Sequence, residues 1–359
     1  MTADHHAPYI KHAIESVLCQ TFGNWELIII DDGPVGKVAD VVRNYRDPRI
    51  RYIRQEHVGI WHLGSSYNCA LAESRAPFIA ILEGDDWWPH NKLELQIPGL
   101  ETGNFLVSYG VGEAFSEDGQ TKLRTQPPAA LTENLRMLNN QPTGSVAMAM
   151  ACHWQFLSPP CLVIRKEALE KIGGFLQPDY YPAVDFPTTL QLSLLGPFHY
   201  HSEVLGYSRM HAKSATASHV PGKVYLTGMF RCWIELMRKN GVRISKDDVS
   251  AITSYWQRKF FDYYLISGRQ ALMQRDRKTS LRRFLNARSG ARGLSKLTAI
   301  SGGMLSQLPM GERLLEDVHR LLNKKTIPML ENEGVVAQSK EVIVAFEAFM
   351  IELNQISSN

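Results

Sequence analysis

Five carboxylates follow two similar apolar runs. Leu27-Ile28-Ile29-Ile30 leads into Asp31, Asp32 and Gly33, and Phe78-Ile79-Ala80-Ile81-Leu82 leads into Glu83, Gly84, Asp85 and Asp86. Short apolar runs rich in β-branched residues read as buried strands. In open α/β sheets the carboxyl ends of strands are where ligands bind. If the two strands share a sheet, their carboxylates crowd one rim. That repulsion is tolerable only where a cation or a ligand's hydrogen-bond donors offset it. The chemistry open to such a rim is therefore cation binding or the capture of a donor-rich ligand.

Alternating elements must position these groups. Pro8 to Phe22 reads as a helix, with Ile10, Ala13, Ile14, Val17 and Leu18 on one face. A strand follows at residues 26–30, then a helix from Val35 to Tyr45, and a short strand at Ile50–Ile53 after the Asp47-Pro48 break. Ser65–Ser74 is a third helix, residues 78–82 a strand, Lys92–Leu100 a helix and Phe105–Tyr109 a strand. Residues 110–150 are weakly patterned and carry Pro and Gly loop signals. A strand through Cys161–Ile164 precedes a helix, Lys166–Ile172, that ends at Gly173-Gly174. Asp185–Leu195 is also helical in pattern. The alternation predicts an α/β, Rossmann-like, mostly parallel sheet flanked by helices. After Gly222 only long helical patterns remain. The boundary is expected near residues 216–222, giving an α/β domain over 1–218 and a mainly helical region over 219–359.

Of 359 residues, 44% are hydrophobic and 21% charged, ordinary for a globular chain. No apolar run reaches the roughly 18 residues of a membrane span, and Met1 to His12 lacks a signal peptide's apolar segment. Five scattered cysteines, none in a close Cys-x-x-Cys pair, argue for reduced thiols and against a disulfide framework or zinc site. The expected location is cytoplasmic. Charge is uneven: residues 222–325 hold 21 Lys and Arg against 8 Asp and Glu, while the remainder holds 18 against 28. The basic part could face anionic lipid, nucleic acid or solvent. Nucleic acid is disfavoured because few aromatics interleave with Arg275, Arg277, Lys278, Arg282, Arg283, Arg288 and Arg292.

Several short motifs occur in a fixed order. They are Ala13-Ile-x-Ser-Val-Leu-x-Gln-Thr-Phe22, Glu26-Leu-Ile-Ile-Ile-Asp-Asp-Gly33, Asp47-Pro-Arg-Ile-Arg51, Glu83-Gly-Asp-Asp86, Pro89, Lys92-Leu-Glu-x-Gln96 and Gly173-Gly-Phe175. In order and spacing the chain resembles a family 2 glycosyltransferase of the GT-A fold, from residue 1 to about 216. The resemblance implies an inverting transfer from a nucleotide-diphospho-sugar, with a UDP-sugar expected, to a glycan or lipid-linked acceptor in cell-surface polysaccharide synthesis. It implies Mg²⁺ or Mn²⁺ held by Asp85, with Glu83 and Asp86 adjoining at the donor. Asp31 and Asp32 resemble the pair of which one member contacts the uracil ring. The general base is expected at Asp185, with Asp179 as its rival. Tyr207-Ser-Arg-Met-His211-x-x-Ser214 resembles a further family segment; Arg209 would neutralise phosphate and His211 would complete the metal site or touch the diphosphate. Lipid-linked acceptors suit a chain held peripherally at the inner face of the cell membrane, with its basic part on anionic lipid.

Two positions depart from the family pattern. Tyr67 stands where an arginine is usual, with His62 as a possible substitute for that basic contact. The opening strand of the fold is expected to be missing: Met1-Thr2-Ala3-Asp4-His5 matches only its last residue and turn, although resemblance places Thr2 in the nucleotide pocket. A reading frame beginning upstream of Met1 is the expectation from that gap. Glu83 in place of the family's first Asp, Tyr67 and the short start leave a second expectation open, a non-catalytic member that binds nucleotide-sugar or a partner.

Overall fold

A computed structural model describes residues 1–33, 36–153, 155–212, 214, 222–290, 294–308, 348–353 and 355. Val35, Arg292 and most of the expected 216–222 boundary lie outside them. The first sheet is wholly parallel. It contains β1 (Thr2–Ala3), β2 (Leu27–Asp31) and β3 (Ile50–Arg54), in that spatial order. Thr2 pairs with Ile30 and Ala3 with Asp31. The strand expected to be missing is therefore present over two residues. Its hydrogen bonds continue at both ends: the Met1 ammonium donates to the Ile28 carbonyl at 2.7 Å, and Asp32 N–H to the Ala3 carbonyl at 3.0 Å.

On its other side β1 meets the second acidic run. Thr2 bridges Glu83 in parallel, and Gly84 N–H donates to the Thr2 carbonyl at 3.0 Å. The two carboxylate-bearing segments are thus separated by one short strand and end on the same rim.

The second sheet is mixed. It holds β4 (Phe78–Ala80), β5 (Val107–Phe115), β6 (Lys122–Gln126), β7 (Val163–Arg165) and β8 (Phe198–Arg209). Its order is β4-β7-β5-β6, with β8 parallel to β5 and the other pairs antiparallel. The expectation of a mostly parallel sheet holds for the first sheet and is corrected for the second. The correction comes from β7, which runs antiparallel to both β4 and β5, and from the 110–126 stretch, which forms a β5–β6 hairpin that a short loop can close.

Helices flank these sheets. They are α1 (Ile10–Leu18), α2 (Lys37–Val42), α3 (Leu63–Glu73), α4 (Lys92–Thr102), α5 (Ala129–Thr132), α6 (Leu135–Leu138), α7 (Ser145–His153), α8 (Lys166–Ile172) and α9 (Asp185–Ser193). The apolar face of α1 is buried through Ile10, Ala13, Ile14 and Val17, against Leu27 and Ile29 of β2 and Leu93, Ile97 and Leu100 of α4. Gly173 ends α8 at φ 89°, a left-handed cap that glycine adopts without strain.

The remaining helices are α10 (Gly222–Lys239), α11 (Lys246–Met273), α12 (Arg277–Gly290) and α13 (Leu294–Leu305). The chain forms two compact units, Met1–Val220 with Gly228–Val242, and Pro221–Thr227 with Arg243–Asn359. Most of α10 therefore packs with the α/β unit, unlike the expected division at 218/219. Its Trp233 explains this: the indole is buried and donates to the Ala147 carbonyl of α7 at 2.8 Å. Among the described residues no helix is long and apolar enough to cross a membrane.

Ile29 is fully buried at the centre of β2. Ile29→Ala removes three carbons from a packed site and should lower unfolding free energy by about 2–5 kcal/mol, measurable by chemical denaturation.

Candidate active site

The loop after β4 carries Glu83, Asp85 and Asp86, whose carboxylates offer ligand atoms within 4.8 Å of one another. Each carboxylate has its own partner. Tyr67 of α3 donates its hydroxyl to Glu83 Oε1 at 2.7 Å. Arg209, at the end of β8, donates its backbone N–H to Asp86 Oδ1 at 2.9 Å. His211 Nε2 lies 3.0 Å from Asp85 Oδ2, and His6 Nε2 lies 3.7 Å from the same oxygen. The other Asp85 oxygen, Oδ1, is buried with no hydrogen-bond partner.

Burial and mutual repulsion shape the charges here. Burial alone would raise the Asp85 carboxyl, but His6 and His211 outweigh it and hold it below the usual range. Burial and the Asp85 charge push Glu83 up to about 7. They push Asp86 well above the ordinary carboxyl range. The cluster therefore concentrates its negative charge on Asp85. An unpartnered buried carboxylate oxygen, flanked by two further carboxylates and an imidazole, fits a hard divalent cation such as Mg²⁺ or Mn²⁺.

The other expected residues divide sharply. Asp31 is fully buried and committed to its own sheet: Oδ2 accepts from Tyr52 Oη at 2.5 Å, and Oδ1 from Arg54 at 3.1 Å and from Gly33 N–H at 3.0 Å. Asp32 points elsewhere. Its Oδ2 takes a long 3.4 Å contact from Val58 N–H and lies 3.8 Å from His57 Nδ1, and it gathers with Asp4 and His57 within 4.8 Å. Burial raises its carboxyl. Of the pair, Asp32 is the one placed to meet a ligand. Thr2 is buried on β1 between these two acidic groups.

Arg209 is 8% exposed and spends its side chain on the protein. Its guanidinium donates to the carbonyls of Glu117 at 2.6 Å and Asp85 at 3.1 Å, and lies 3.1 Å from His12 Nδ1. It also sits 4.8 Å from the Trp87 ring centre and 5.1 Å from that of Tyr9. The phosphate contact expected of Arg209 is not among these interactions: its side chain holds the Asp85 carbonyl and the Trp87 ring, and its backbone N–H holds the Asp86 carboxylate. Trp88 is buried in the core, whereas Trp87 is half-buried and stacks on His12 and Tyr207.

Asp185 is the first residue of α9, with Val184 rather than Asp185 at the cap position. It lines a small cavity with Tyr67, Ile81, Phe175 and Thr188. Burial pushes its carboxyl up to about 6. Tyr67 thus connects Asp185's cavity to Glu83. Asp179, the rival, is exposed in the loop before α9. The hydroxyl of Tyr67 occupies the place where an arginine was expected, and His62 is exposed at the start of α3.

Sequence reasoning missed His6. It faces Asp85 from the turn after β1, and its side chain lies so near Gly84 that a Cβ there would come within 3.0 Å. A glycine between two acids, with a His pair just after the opening strand, was the available signal.

Two outcomes follow from this geometry. Arg209→Lys keeps a positive charge but loses the planar fork, so Mn²⁺ affinity measured by calorimetry should fall about 10–100-fold, the usual cost of disturbing groups that orient metal ligands. For Asp185 the folded pKa of about 6 lies above the ordinary 3.8, so its ionisation costs stability as pH rises through that interval, and the cost is complete above it. Asp185→Asn should therefore stabilise the fold by about 1–3 kcal/mol near pH 8 and by almost nothing below about pH 4, read from denaturation curves.

Residues 3–173 match the sequence profile of Glycosyl transferase family 2. The UDP-Glc:alpha-D-GlcNAc-diphosphoundecaprenol beta-1,3-glucosyltransferase WfgD of Escherichia coli is 37% identical over 101 residues, 28% of this chain and 39% of that protein. The first curated relatives are matched over only 15% to 39% of their own length. S. aureus TarS 1-349, crystallised with UDP-GlcNAc, superposes with a TM-score of 0.54 at 14% identity, over 89% of this chain and 90% of that one. Mannosyltransferase PcManGT of Pyrobaculum calidifontis, in complex with GDP-Man and Mn²⁺, gives 0.51 at 13% identity, over 99% and 86%. The shared architecture is the GT-A fold. Residues 3–173, just under half of the chain, are thus similar to glycosyl transferase family 2.

Proposed function

We propose that the chain is an inverting, metal-dependent glycosyltransferase that moves a sugar from a nucleotide-diphospho-sugar, with UDP-sugar as the favoured donor, to a glycan or lipid-linked acceptor in cell-surface polysaccharide synthesis. The observation that carries this reading is the unpartnered, buried Asp85 Oδ1 in the carboxylate cluster, linked through Glu83 and Tyr67 to the Asp185 cavity. Two likenesses support it. TarS was crystallised with UDP-GlcNAc, and WfgD is named for transfer from UDP-Glc to a diphosphoundecaprenol-linked sugar. The Mn²⁺ bound with GDP-Man in PcManGT supports the metal.

Asp85 holds the ion, with His211, Glu83 and Asp86 around it. When bound, a divalent ion stabilises the negative charge that develops on a departing diphosphate. Asp32 accepts from a ring N–H of the nucleotide base, which favours uracil over cytosine. Thr2 lines the same pocket. Asp185, ionised above about pH 6, accepts the proton of the acceptor hydroxyl as its oxygen attacks the anomeric carbon. Attack from the face opposite the diphosphate inverts that carbon in one displacement. The cavity around Asp185 is mostly apolar, which limits water's access to the base.

The test is release of nucleotide diphosphate across a panel of donor sugars with Mn²⁺. Asp85→Ala should abolish metal-dependent donor binding in calorimetry while the melting curve stays cooperative. Asp185→Asn should slow transfer by roughly two to four orders of magnitude with donor affinity little changed. Loss of turnover in Asp179→Asn instead would move the base to that residue. Donor binding without turnover for every sugar would make this a binding protein.

A further inference from the structure

The second compact unit carries an unusual pairing of charge and exposed apolar surface. From Arg277 to Leu308 the sequence holds seven Lys and Arg and no Asp or Glu. The inward side of this stretch is satisfied. Ser280, Phe284 and Ala287 of α12 are buried, as are Ala299 and Ser306 at α13. Ser280 Oγ lies 2.6 Å from Ser306 Oγ and donates to the Gly268 carbonyl of α11 at 2.8 Å. The Phe284 ring lies so close to Gly302 that a Cβ there would come within 2.2 Å. The α12–α13 pair is therefore fixed by small residues on one side.

Its outward side has no such explanation. Lys278, Arg282 and Leu285 are exposed on α12 at spacings of four and three, so they form one stripe. Leu285 is 51% exposed. One turn earlier, Leu281 reaches the position a Cβ would take on Gly303, at 3.8 Å. The next residue, Met304, is 63% exposed, and Leu308, one turn further on, is 44% exposed. Aliphatic side chains thus stand in water beside long cationic ones, and the one neighbouring carboxylate in sequence, the exposed Asp276, faces Arg282 and Arg283, leaving the stretch strongly basic.

We propose that the α12–α13 face docks peripherally on an anionic lipid bilayer. Lys278 and Arg282 meet lipid phosphates, and Leu285, Met304 and Leu308 sit below them at the acyl boundary. Charge complementarity selects the occupant: juxtamembrane basic clusters are drawn to acidic lipid, and flexible Lys and Arg stems can lie along apolar surface while their heads stay at the phosphates. Nucleic acid would use the same cations, but it stacks bases on exposed aromatics. The aromatic of α12, Phe284, is buried, and the exposed apolar groups are aliphatic. This docking is independent of the donor chemistry proposed above.

Sedimentation of the full chain with vesicles decides the matter. Vesicles containing phosphatidylglycerol should carry the protein down, and vesicles of phosphatidylcholine alone should not. Raised salt should weaken the binding. Lys278→Gln with Arg282→Gln should weaken it roughly thirtyfold, since each of the two basic residues near an acidic surface contributes about 1 kcal/mol and about 1.4 kcal/mol is tenfold. Leu285→Ser with Met304→Ser should weaken it further at high salt, where insertion carries the remaining affinity. Unchanged circular-dichroism melts and donor binding keep these variants interpretable. Equal binding to neutral vesicles, or anionic binding that neither variant weakens, overturns the proposal. So does binding to single-stranded RNA without vesicle binding. A concentration-dependent dimer that the serine variant abolishes, with no vesicle binding, would assign the face to a second copy and equally overturn it.

Discussion

Three acidic side chains at the end of one strand must coexist in a space that excludes water. Two of them resolve the conflict inside the protein. Glu83 receives the Tyr67 hydroxyl and is pushed towards neutrality, and Asp86 is held by the Arg209 backbone and pushed further. Asp85 remains charged because His6 and His211 face it, yet one of its oxygens is left bare. A buried polar atom without a partner is costly. The fold tolerates this one at the rim where its ligand is expected. The short β1, the tight Gly84 turn and the stacked Arg209 all hold that loop against the sheet.

This view changes how cation and carboxylate work is divided. Arg209 has the type and position of a phosphate clamp, but each of its three guanidinium nitrogens meets a protein group, and the Trp87 and Tyr9 rings lie beside it. It meets the acidic loop at the Asp85 carbonyl, the Asp86 carboxylate and the Trp87 ring. Asp31 is similar: this last residue of β2 is taken up by Tyr52 and Arg54, whereas Asp32, also buried, gathers with Asp4 and His57. Successive residues at a strand end face opposite sides, so one of two adjacent acids is spent on the sheet.

Much of the α/β unit was legible because its signals are local. Apolar runs ending in acids marked β2 and β4, a helical stripe marked α1, and Gly173-Gly174 marked the end of α8. The acidic loop was marked the same way, whereas Asp185 was expected only from the family resemblance, as the acid that follows Gly173-Gly-Phe175. What was not legible depends on pairing at a distance. A two-residue β1 has too few residues to show a period, yet it joins the two acidic runs. The β5–β6 hairpin lacks the alternation that would separate it from loops, so the mixed second sheet was invisible. The partition of α10 between units rests on Trp233 meeting α7, a contact that helical periodicity does not encode. Tyr67 was read as a departure from a pattern, and His6 was missed. In the structure each supports one member of the acidic cluster.

The central claim is that Asp85 is the seat of a divalent ion that the nucleotide-sugar shares. The described residues offer one other group of three possible ligands, Asp4, Asp32 and His57, which the account gives to the nucleotide base instead. Anomalous diffraction from crystals grown with Mn²⁺ and UDP separates the two. The account predicts one manganese peak, bonded to Asp85 and a diphosphate oxygen, with the base beside Asp32. A peak at Asp4, Asp32 and His57, or ordered UDP with no metal at Asp85, would contradict it.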